Sequence, residues 1–289
     1  NIEMMLNAVE RSLEYYTENF GPYYHKQCRI IEFPRFSNFA QAFPGTMPYS
    51  ESFGFIIDLE DKSENNVVDA VIAHEMAHQW WAHQVVGASM QGGTMMSESF
   101  AEYSSLMTMK SIAKTPMKMR EFLKYDHDRY LRGRSSEIEN EQPLYKVENQ
   151  MHIHYGKGSV ILYALQDYIG EDKVNLAMKN FLEEFRYKKP PYPTSLDFMK
   201  HLEPLVPDSL NYIIENHKFE QLFDNAITIL SCKNNSLFDG EIPPTIVKQF
   251  IKKNQELFLF LIYWLHIHHV NLTDKIKLRM TAKLFSFAW

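Results

Sequence analysis

Two histidines separated by three residues constrain this chain more than any other feature of its sequence. They are His74 and His78, in the stretch Val71–His83 that reads V-I-A-H-E-M-A-H-Q-W-W-A-H. On an α-helix, positions four apart lie on one face, with Cβ atoms roughly 5–6 Å apart. Both imidazoles can therefore bind one metal ion, each at about 2.0–2.1 Å if the ion is zinc. The alternative is a buried helix whose histidines only satisfy neighbouring polar groups.

Glu75 directly follows the first histidine and does not share a helix face with the pair. Its carboxylate can lie beside a metal ion instead of binding it, which suits a base that takes a proton from metal-bound water. The flanking residues favour a helix, because Asn65 or Asn66 can supply the N-cap and Asp69 places negative charge in the first turn.

A catalytic zinc site needs a third protein ligand and an open fourth position. The next carboxylate after His78 is Glu98, and several glycines lie between the two residues. Those glycines favour a loop, and the chain from Thr94 to about Ile112 is predicted to form a second helix. Glu98 lies in the first turns of that helix, where it can face back towards the histidines.

Glu102 lies four residues after Glu98 and therefore on the same face of the predicted helix. That position suits a carboxylate that orients a ligand histidine. A solvated or paired surface charge explains Glu102 equally well, so both interpretations stay open.

The two motifs together, H-E-M-A-H-Q-W-W and S-E-S-F-A-E-Y, resemble the aminopeptidase N family of zinc metallopeptidases (gluzincins), whose pattern is H-E-x-x-H followed by N-E-G-F-A-E-Y. The resemblance implies one zinc ion per chain, held by His74, His78 and Glu98, with Glu75 as general base. Nineteen residues separate His78 from Glu98 here, whereas the family usually has eighteen. The run Q-W-W-A-H-Q-V-V-G-A is similar to a bacterial branch that is joined to an ABC-transporter-type permease and has the longer gap.

A segment ahead of the histidine motif takes part in the same resemblance. The family carries G-A-M-E-N-W-G along an edge strand of the active site, and its glutamate holds the free amino terminus of the substrate. Placing W-G on Phe53-Gly54 puts that glutamate at Glu51. Residues 53–59 are predicted to form the strand. The alternative for Glu51 is an acid in an exposed loop.

Tyr155-Gly156-Lys157-Gly158 matches a further family segment, Y-x-K-G, which precedes an apolar helix. The resemblance implies that Tyr155 donates a hydrogen bond to the oxyanion that forms at the peptide carbonyl. A phenol suits that role because it stays neutral and protonated at pH 7. Without the resemblance, Tyr155 is most simply a core tyrosine.

The patterns indicate an α+β chain that is mostly α-helical, and the resemblance implies a thermolysin-like zincin catalytic domain with a small mixed β-sheet on its N-terminal side. That domain is expected to cover residues 1–226, and residues 227–289 form an unassigned tail. Within this domain we expect a sheet part at about 22–60 and a helical part at 65–226. An amphipathic helix is predicted over 1–20 and a strand over 27–32. The charge-rich residues 126–139 are predicted to form a solvated loop, with closure of the substrate cleft as the lesser alternative for that loop.

Composition narrows the classes of partner. The formal net charge of −6 argues against a nucleic-acid partner, which requires a basic surface. The longest apolar run, residues 257–265, is too short to span a bilayer. We therefore expect this chain to be soluble. The resemblance to the permease-linked branch implies a fragment of a longer protein, whose full length is associated with the bacterial inner membrane through a permease region.

The function that these features predict is hydrolysis of the N-terminal peptide bond of a peptide substrate with a free amino terminus. Two other classes of function stay open. One is a zinc endopeptidase, and the other is a catalytically inactive binding or sensing domain of a transporter-like assembly.

Overall fold

Helices dominate the part of the chain that the computed structural model describes, which is residues 1–57, 67–113 and 115–214. The prediction of a mostly helical α+β chain is confirmed. The helices of the described residues are α1 (Ile2–Phe20), α2 (Glu51–Gly54), α3 (Val67–Ala77), α4 (Phe100–Ile112), α5 (Pro116–Ser136), α6 (Gly158–Ile169), α7 (Glu171–Phe185) and α8 (Ser195–Leu202). Short π-helical turns cover Met95–Ser99 and His152–Lys157, and 3-10 turns cover Leu144–Lys146, Glu203–Leu205 and Asp208–Ile213.

The sheet consists of two parallel strands, β1 (Arg29–Phe33) and β2 (Thr46–Ser50), in register from Arg29 opposite Thr46 to Phe33 opposite Ser50. Parallel pairing requires a crossover of about a dozen residues, and residues 34–45 provide it. Ala40 and Phe43 add isolated antiparallel bridges to β2. The expected small sheet is therefore present, and its antiparallel component is limited to single bridges among the described residues.

Helices α1 and α4 fix the position of α3, which carries the histidine motif. The buried residues of α1 recur every three or four positions, so one apolar face packs on the core. The Tyr16 hydroxyl of α1 donates to the carbonyl of Ala73 at 2.8 Å, one residue before His74. The Ser105 hydroxyl of α4 donates to the carbonyl of Ala70, also at 2.8 Å. These two hydrogen bonds fix both the position of α3 and its rotation about its own axis.

Two adjacent tryptophans anchor the turn that follows α3. Trp80 and Trp81 are fully buried. The indole nitrogen of Trp80 donates to the carbonyl of Gly21, at the end of α1, and that of Trp81 donates to the Ser104 hydroxyl of α4, each at 2.9 Å. The end of the histidine motif is therefore tied to the same two helices as its middle.

The strand predicted over residues 53–59 is wrong for the residues in that range that the structure describes. Residues 51–54 form α2 instead, and Ser50 caps this helix by accepting the amide hydrogen of Ser52 at 3.3 Å. The amides of residues 55 and 56 both donate to the carbonyl of Glu51. These backbone groups are used locally, so they are not available to a ladder.

The solvated loop predicted over residues 126–139 is wrong for residues 126–136, because α5 continues to Ser136, whereas residues 137–139 are non-helical as predicted. Thr115 accepts the amide hydrogen of Lys118 and Pro116 occupies the first turn, so the helix starts with two favourable signals. Asp126, His127 and Tyr130 are buried against the core. Burial of this face holds the charge-rich segment in a helix.

Some expectations lie outside the described residues. They are the N-cap at Asn65 or Asn66, the end of the catalytic domain beyond residue 214, and the tail over 227–289. In the described ranges, we find no helix with the length and apolar character that a bilayer crossing requires.

Candidate metal centre and active site

Three side chains from two helical segments converge on one point. His74 Nε2 and His78 Nε2 are 3.0 Å apart, and Glu98 Oε2 lies 3.4 and 3.3 Å from them, respectively. His74 belongs to α3, His78 continues its last turn, and Glu98 lies in the π turn Met95–Ser99. Within the described ranges, no other group of three or more His, Cys, Asp or Glu side chains is placed to hold a metal ion jointly.

The second nitrogen of each imidazole is directed at an acceptor on the far side. His78 Nδ1 lies 3.0 Å from the carbonyl oxygen of Trp81, to which it donates when it carries the proton. His74 Nδ1 lies 3.5 Å from Glu102 Oε2. An acceptor beside Nδ1 favours the tautomer that carries the proton there, which leaves Nε2 free to bind a metal ion.

The three converging atoms fit a zinc ion. Ligand atoms about 2.0–2.1 Å from zinc in tetrahedral positions lie about 3.3–3.4 Å from one another, and the observed separations are 3.0 to 3.4 Å. Glu98 Oε2 is buried and has no hydrogen-bond partner. A buried carboxylate oxygen without a partner is costly unless a cation neutralises it. Burial opposes the charged form of Glu98, but His74 and His78 outweigh it and hold its pKa well below the usual range.

Glu75 is 6% exposed and faces a cavity of about 250 Å³. His74, Glu102 and Tyr155 line the same cavity. Burial raises the pKa of Glu75, although the neighbouring His74 and His78 act in the opposite direction. A carboxylate whose pKa is raised suits a group that accepts a proton and returns it near neutral pH.

Tyr155 reaches the cavity from the second π turn, His152–Lys157. Its ring centroid lies 5.9 Å from that of His74. Burial and the Glu98 carboxylate raise the pKa of Tyr155, so the phenol stays protonated at neutral pH and can donate a hydrogen bond. Gly156 permits this placement, because a Cβ there would lie 2.7 Å from the Asp126 carbonyl oxygen of α5.

Arg129 of α5 is a site residue that the sequence pattern assigned to a loop. Its Nη1 donates to Glu102 Oε1 at 2.9 Å, and its guanidinium carbon lies 4.1 Å from the centroid of the Tyr155 ring. Glu102, which the sequence left as either a surface charge or a partner of a histidine, lies between Arg129 and His74.

Asp126 lies one helical turn before Arg129. The sequence pattern did not indicate it as a site residue, because it too was assigned to the predicted loop. It is 4% exposed, and its Oδ2 accepts from the Ser159 hydroxyl at 2.7 Å. Burial and the Glu102 carboxylate raise its pKa well above the usual range. A helix that begins at Pro116 places Asp126 and Arg129 on one face. The spacing of three residues between them is the sequence signal that could have indicated their shared position.

Glu51 is the predicted site residue that the structure does not bring to the cavity. Its Oε1 accepts the backbone amide hydrogen of Arg35 at 3.0 Å. Ala40 and Phe53 line the cavity on this side instead.

Comparison with known proteins gives the family. A family model described as the Peptidase family M1 domain matches residues 4–217. This chain belongs to peptidase family M1. Among its M1 relatives are a probable aminopeptidase 1 of Sulfurisphaera tokodaii, 28% identical over 190 residues, and the endoplasmic reticulum aminopeptidase 2 of Homo sapiens, 28% identical over 190 residues.

Each of these alignments covers 63% of this chain, but only 24% of the archaeal protein and 20% of the human one. The M1 chain therefore spans about a quarter of the length of these relatives. A crystal structure of an M1 zinc metallopeptidase from Deinococcus radiodurans superposes with a TM-score of 0.52 at 19% identity, over 76% of this chain and 43% of that one. The predicted metallopeptidase fold is confirmed by this likeness.

Proposed function

We propose that this chain is the catalytic unit of a zinc aminopeptidase, which hydrolyses the N-terminal peptide bond of peptides. The observation that carries the proposal is the approach of His74 Nε2, His78 Nε2 and Glu98 Oε2 to within 3.0 to 3.4 Å of one another, beside Glu75 and Tyr155. Relatives named as aminopeptidases support the same reaction class.

His74, His78 and Glu98 would hold the zinc ion, and Glu102 would orient His74. Zinc in this position supplies Lewis acidity, which polarises a peptide carbonyl and lowers the pKa of water towards about 7. The remaining steps belong to the side chains of the chain itself.

Glu75 acts as the general base in this proposal. Its buried carboxylate takes the proton of the attacking water and then gives it to the leaving amine, and a raised pKa favours both transfers near neutral pH. Tyr155 donates its hydroxyl hydrogen to the oxyanion at the peptide carbonyl, where a fixed donor stabilises developing charge.

The proposal is tested by zinc analysis together with hydrolysis of aminoacyl amide substrates. We expect one zinc per chain in both the wild type and Glu75→Gln, and we expect Glu75→Gln to lower kcat by about 10²–10⁴. Glu10→Gln, at an exposed position of α1, is the matched control and should leave kcat unchanged. Full activity in Glu75→Gln would contradict the role of the base.

A zinc endopeptidase is the second candidate, and the position of Glu51 favours it. An aminopeptidase requires an anionic group that holds the free amino terminus, and the resemblance assigns that role to Glu51. Glu51 bonds to the amide of Arg35 and does not line the cavity beside Glu75. Equal hydrolysis of N-acetylated and free peptides would support the endopeptidase, whereas a preference for free peptides that is lost in Glu51→Gln would support the aminopeptidase.

We also propose that the full-length protein is joined to an ABC-transporter-type permease and is membrane-associated. The support is the run Q-W-W-A-H-Q-V-V-G-A after the histidine motif. Fractionation of the native cell tests this, because a native protein recovered entirely without detergent would contradict it.

A further inference from the structure

Arg129 occupies a special position among the charged groups of the site. Of the described residues that line the cavity beside His74, three are acidic, namely Glu75, Glu102 and Asp126, and Arg129 is the one Lys or Arg. Its side chain is about two-thirds buried, with 32% of its surface exposed. A guanidinium in such surroundings stays charged and has several donors in one plane.

The first contact of Arg129 is with Glu102, the carboxylate that lies beside His74 of the candidate metal centre. Its Nη1 donates to Glu102 Oε1 at 2.9 Å, and the other oxygen of the same carboxylate lies 3.5 Å from His74 Nδ1. The contact to Arg129 therefore keeps the Glu102 carboxylate turned towards His74.

The second contact of Arg129 leads to the phenol. Its guanidinium carbon lies 4.1 Å from the centre of the Tyr155 ring, well within the distance of about 6 Å over which a cation is attracted to an aromatic face. Tyr155 lies in a π turn whose backbone packs closely against the backbone of α5. A Cβ atom on Gly156 would lie only 2.9 Å from the Tyr130 amide nitrogen. Arg129 covers one face of the ring and restricts how it can tilt.

Two other charged side chains near Arg129 have partners of their own. Lys157, in the same π turn as Tyr155, forms an ion pair with Glu141. Asp126 accepts a hydrogen bond from the Ser159 hydroxyl at 2.7 Å, and the contacts of Arg129 described above are those to Glu102 and Tyr155. One side chain thus touches both the carboxylate behind a metal-binding histidine and the predicted oxyanion donor.

We propose that Arg129 is a positioning residue that holds Glu102 against His74 and the Tyr155 ring in the cavity at the same time. This inference rests on the proposed zinc-peptidase function. It makes two separable predictions, one for metal affinity and one for turnover.

Zinc affinity, measured by competition with a chromogenic chelator, tests the contact to Glu102 without using activity. We expect Arg129→Met to raise the zinc Kd about tenfold, at the lower end of the 10–100-fold known for groups that support metal ligands. If Arg129 acts through Glu102, adding Arg129→Met to Glu102→Gln should raise the Kd by less than about threefold more.

Turnover at saturating zinc tests the contact to Tyr155. We expect Arg129→Met to lower kcat about 10–100-fold with KM almost unchanged, because a misplaced donor acts mainly on the transition state. In a Tyr155→Phe background the same change should lower kcat by less than about threefold, since there is no hydroxyl left to place.

Arg132→Met is the matched control, because Arg132 lies on the same helix and is exposed. It should keep the zinc Kd and kcat of the wild type. If Arg129→Met does not fold, Arg129→Lys replaces it. Lysine keeps a charge beside Glu102 but lacks the planar group over Tyr155, so a normal zinc Kd with a lowered kcat is expected.

Wild-type zinc affinity and kcat in a folded Arg129→Met would overturn the inference, as would fully additive effects in both double variants. A wild-type chain that binds no zinc would instead contradict the proposed function, and the inference with it. A wild-type chain that binds zinc without hydrolysing peptides would contradict the peptidase proposal and the Tyr155 contact, and would leave the zinc measurement to decide the Glu102 contact.

Discussion

Polar groups lie behind both histidines, on the side away from Glu98. Trp81 offers a backbone carbonyl to His78 and Glu102 offers a carboxylate to His74, so both Nε2 atoms point at Glu98. The i, i+4 spacing predicts that both imidazoles lie on one face of the helix, because this depends only on helix geometry. It does not predict the acceptors, since these depend on where the chain goes after the motif.

Tyr155→Phe tests a single atom, the phenol oxygen. We expect kcat to fall about 10²–10³-fold, as is typical when one donor to an oxyanion is removed. KM and zinc content should stay near wild type, because the ring and the metal ligands are unchanged. Steady-state kinetics on an aminoacyl amide, with Tyr192→Phe at an exposed position as the control, provide the measurement. An unchanged kcat would exclude Tyr155 as the donor.

At the scale of elements, both π turns present a site residue. Glu98 lies in Met95–Ser99 and Tyr155 in His152–Lys157, and each turn runs directly into an α-helix. A π turn bonds residue i to residue i+5 and so contains one residue more than an α turn. We infer that the turn at Glu98 helps to accommodate the nineteen-residue gap that follows His78.

Gly156→Ala tests the contact between the Tyr155 turn and α5. The added Cβ would lie 2.7 Å from the Asp126 carbonyl oxygen and 2.9 Å from the Tyr130 amide nitrogen, so the two segments must separate. We expect a loss of about 1–3 kcal/mol in unfolding free energy, the usual cost of overpacking, and a lower kcat at unchanged zinc content. Urea unfolding and kinetics provide the measurements, and Ser135→Ala at an exposed position of α5 is the control. Unchanged stability and kcat would show that this close approach is not required.

Local signals predicted most of the elements, and tertiary contacts overrode them at two places. Helix α1 and the helical segment from about Thr94 form where their apolar periodicity predicts them. Residues 53–57 have strand-like composition, yet they lie in or just after α2, because Ser50 caps a helical turn ahead of them. Residues 126–136 have a loop-like charge density, yet they stay helical because Asp126, His127 and Tyr130 are buried.

At the scale of the whole molecule, the partly buried imidazole of His83 makes stability depend on pH. Burial, with smaller contributions from the neighbouring His78 and His25, lowers the pKa of His83 from 6.5 to about 4. Between pH 6.5 and 4 the unfolded chain therefore binds a proton at His83 that the folded chain does not. The contribution to stability is complete above pH 6.5 and is lost as the pH falls towards 4.

His83→Gln should flatten this dependence. Each such group contributes a slope of at most about 1.4 kcal/mol per pH unit, and partial solvent exposure reduces it. We therefore expect the difference in unfolding free energy between wild type and His83→Gln to shrink as the pH falls from 7 to 4.5. Urea unfolding at several pH values measures it, and a difference that stays constant with pH would contradict a lowered pKa for His83.

For the functional site, as for the fold, the sequence predicts the local features but not those that depend on tertiary packing. The zinc-binding motif is local in sequence and was predicted together with its family. Arg129 and Asp126 were not, because they enter the site only when α5 packs against the segment that carries Tyr155.

Zinc stoichiometry is the measurement that tests the central claim most directly. The purified chain and the variants His74→Ala, His78→Ala and Glu98→Ala should be dialysed against buffered zinc and analysed for bound metal. We expect one zinc per chain in the wild type and loss of most of it in each variant, because each change removes one of only three protein ligands. A wild type without zinc, or variants that retain it in full, would contradict the account.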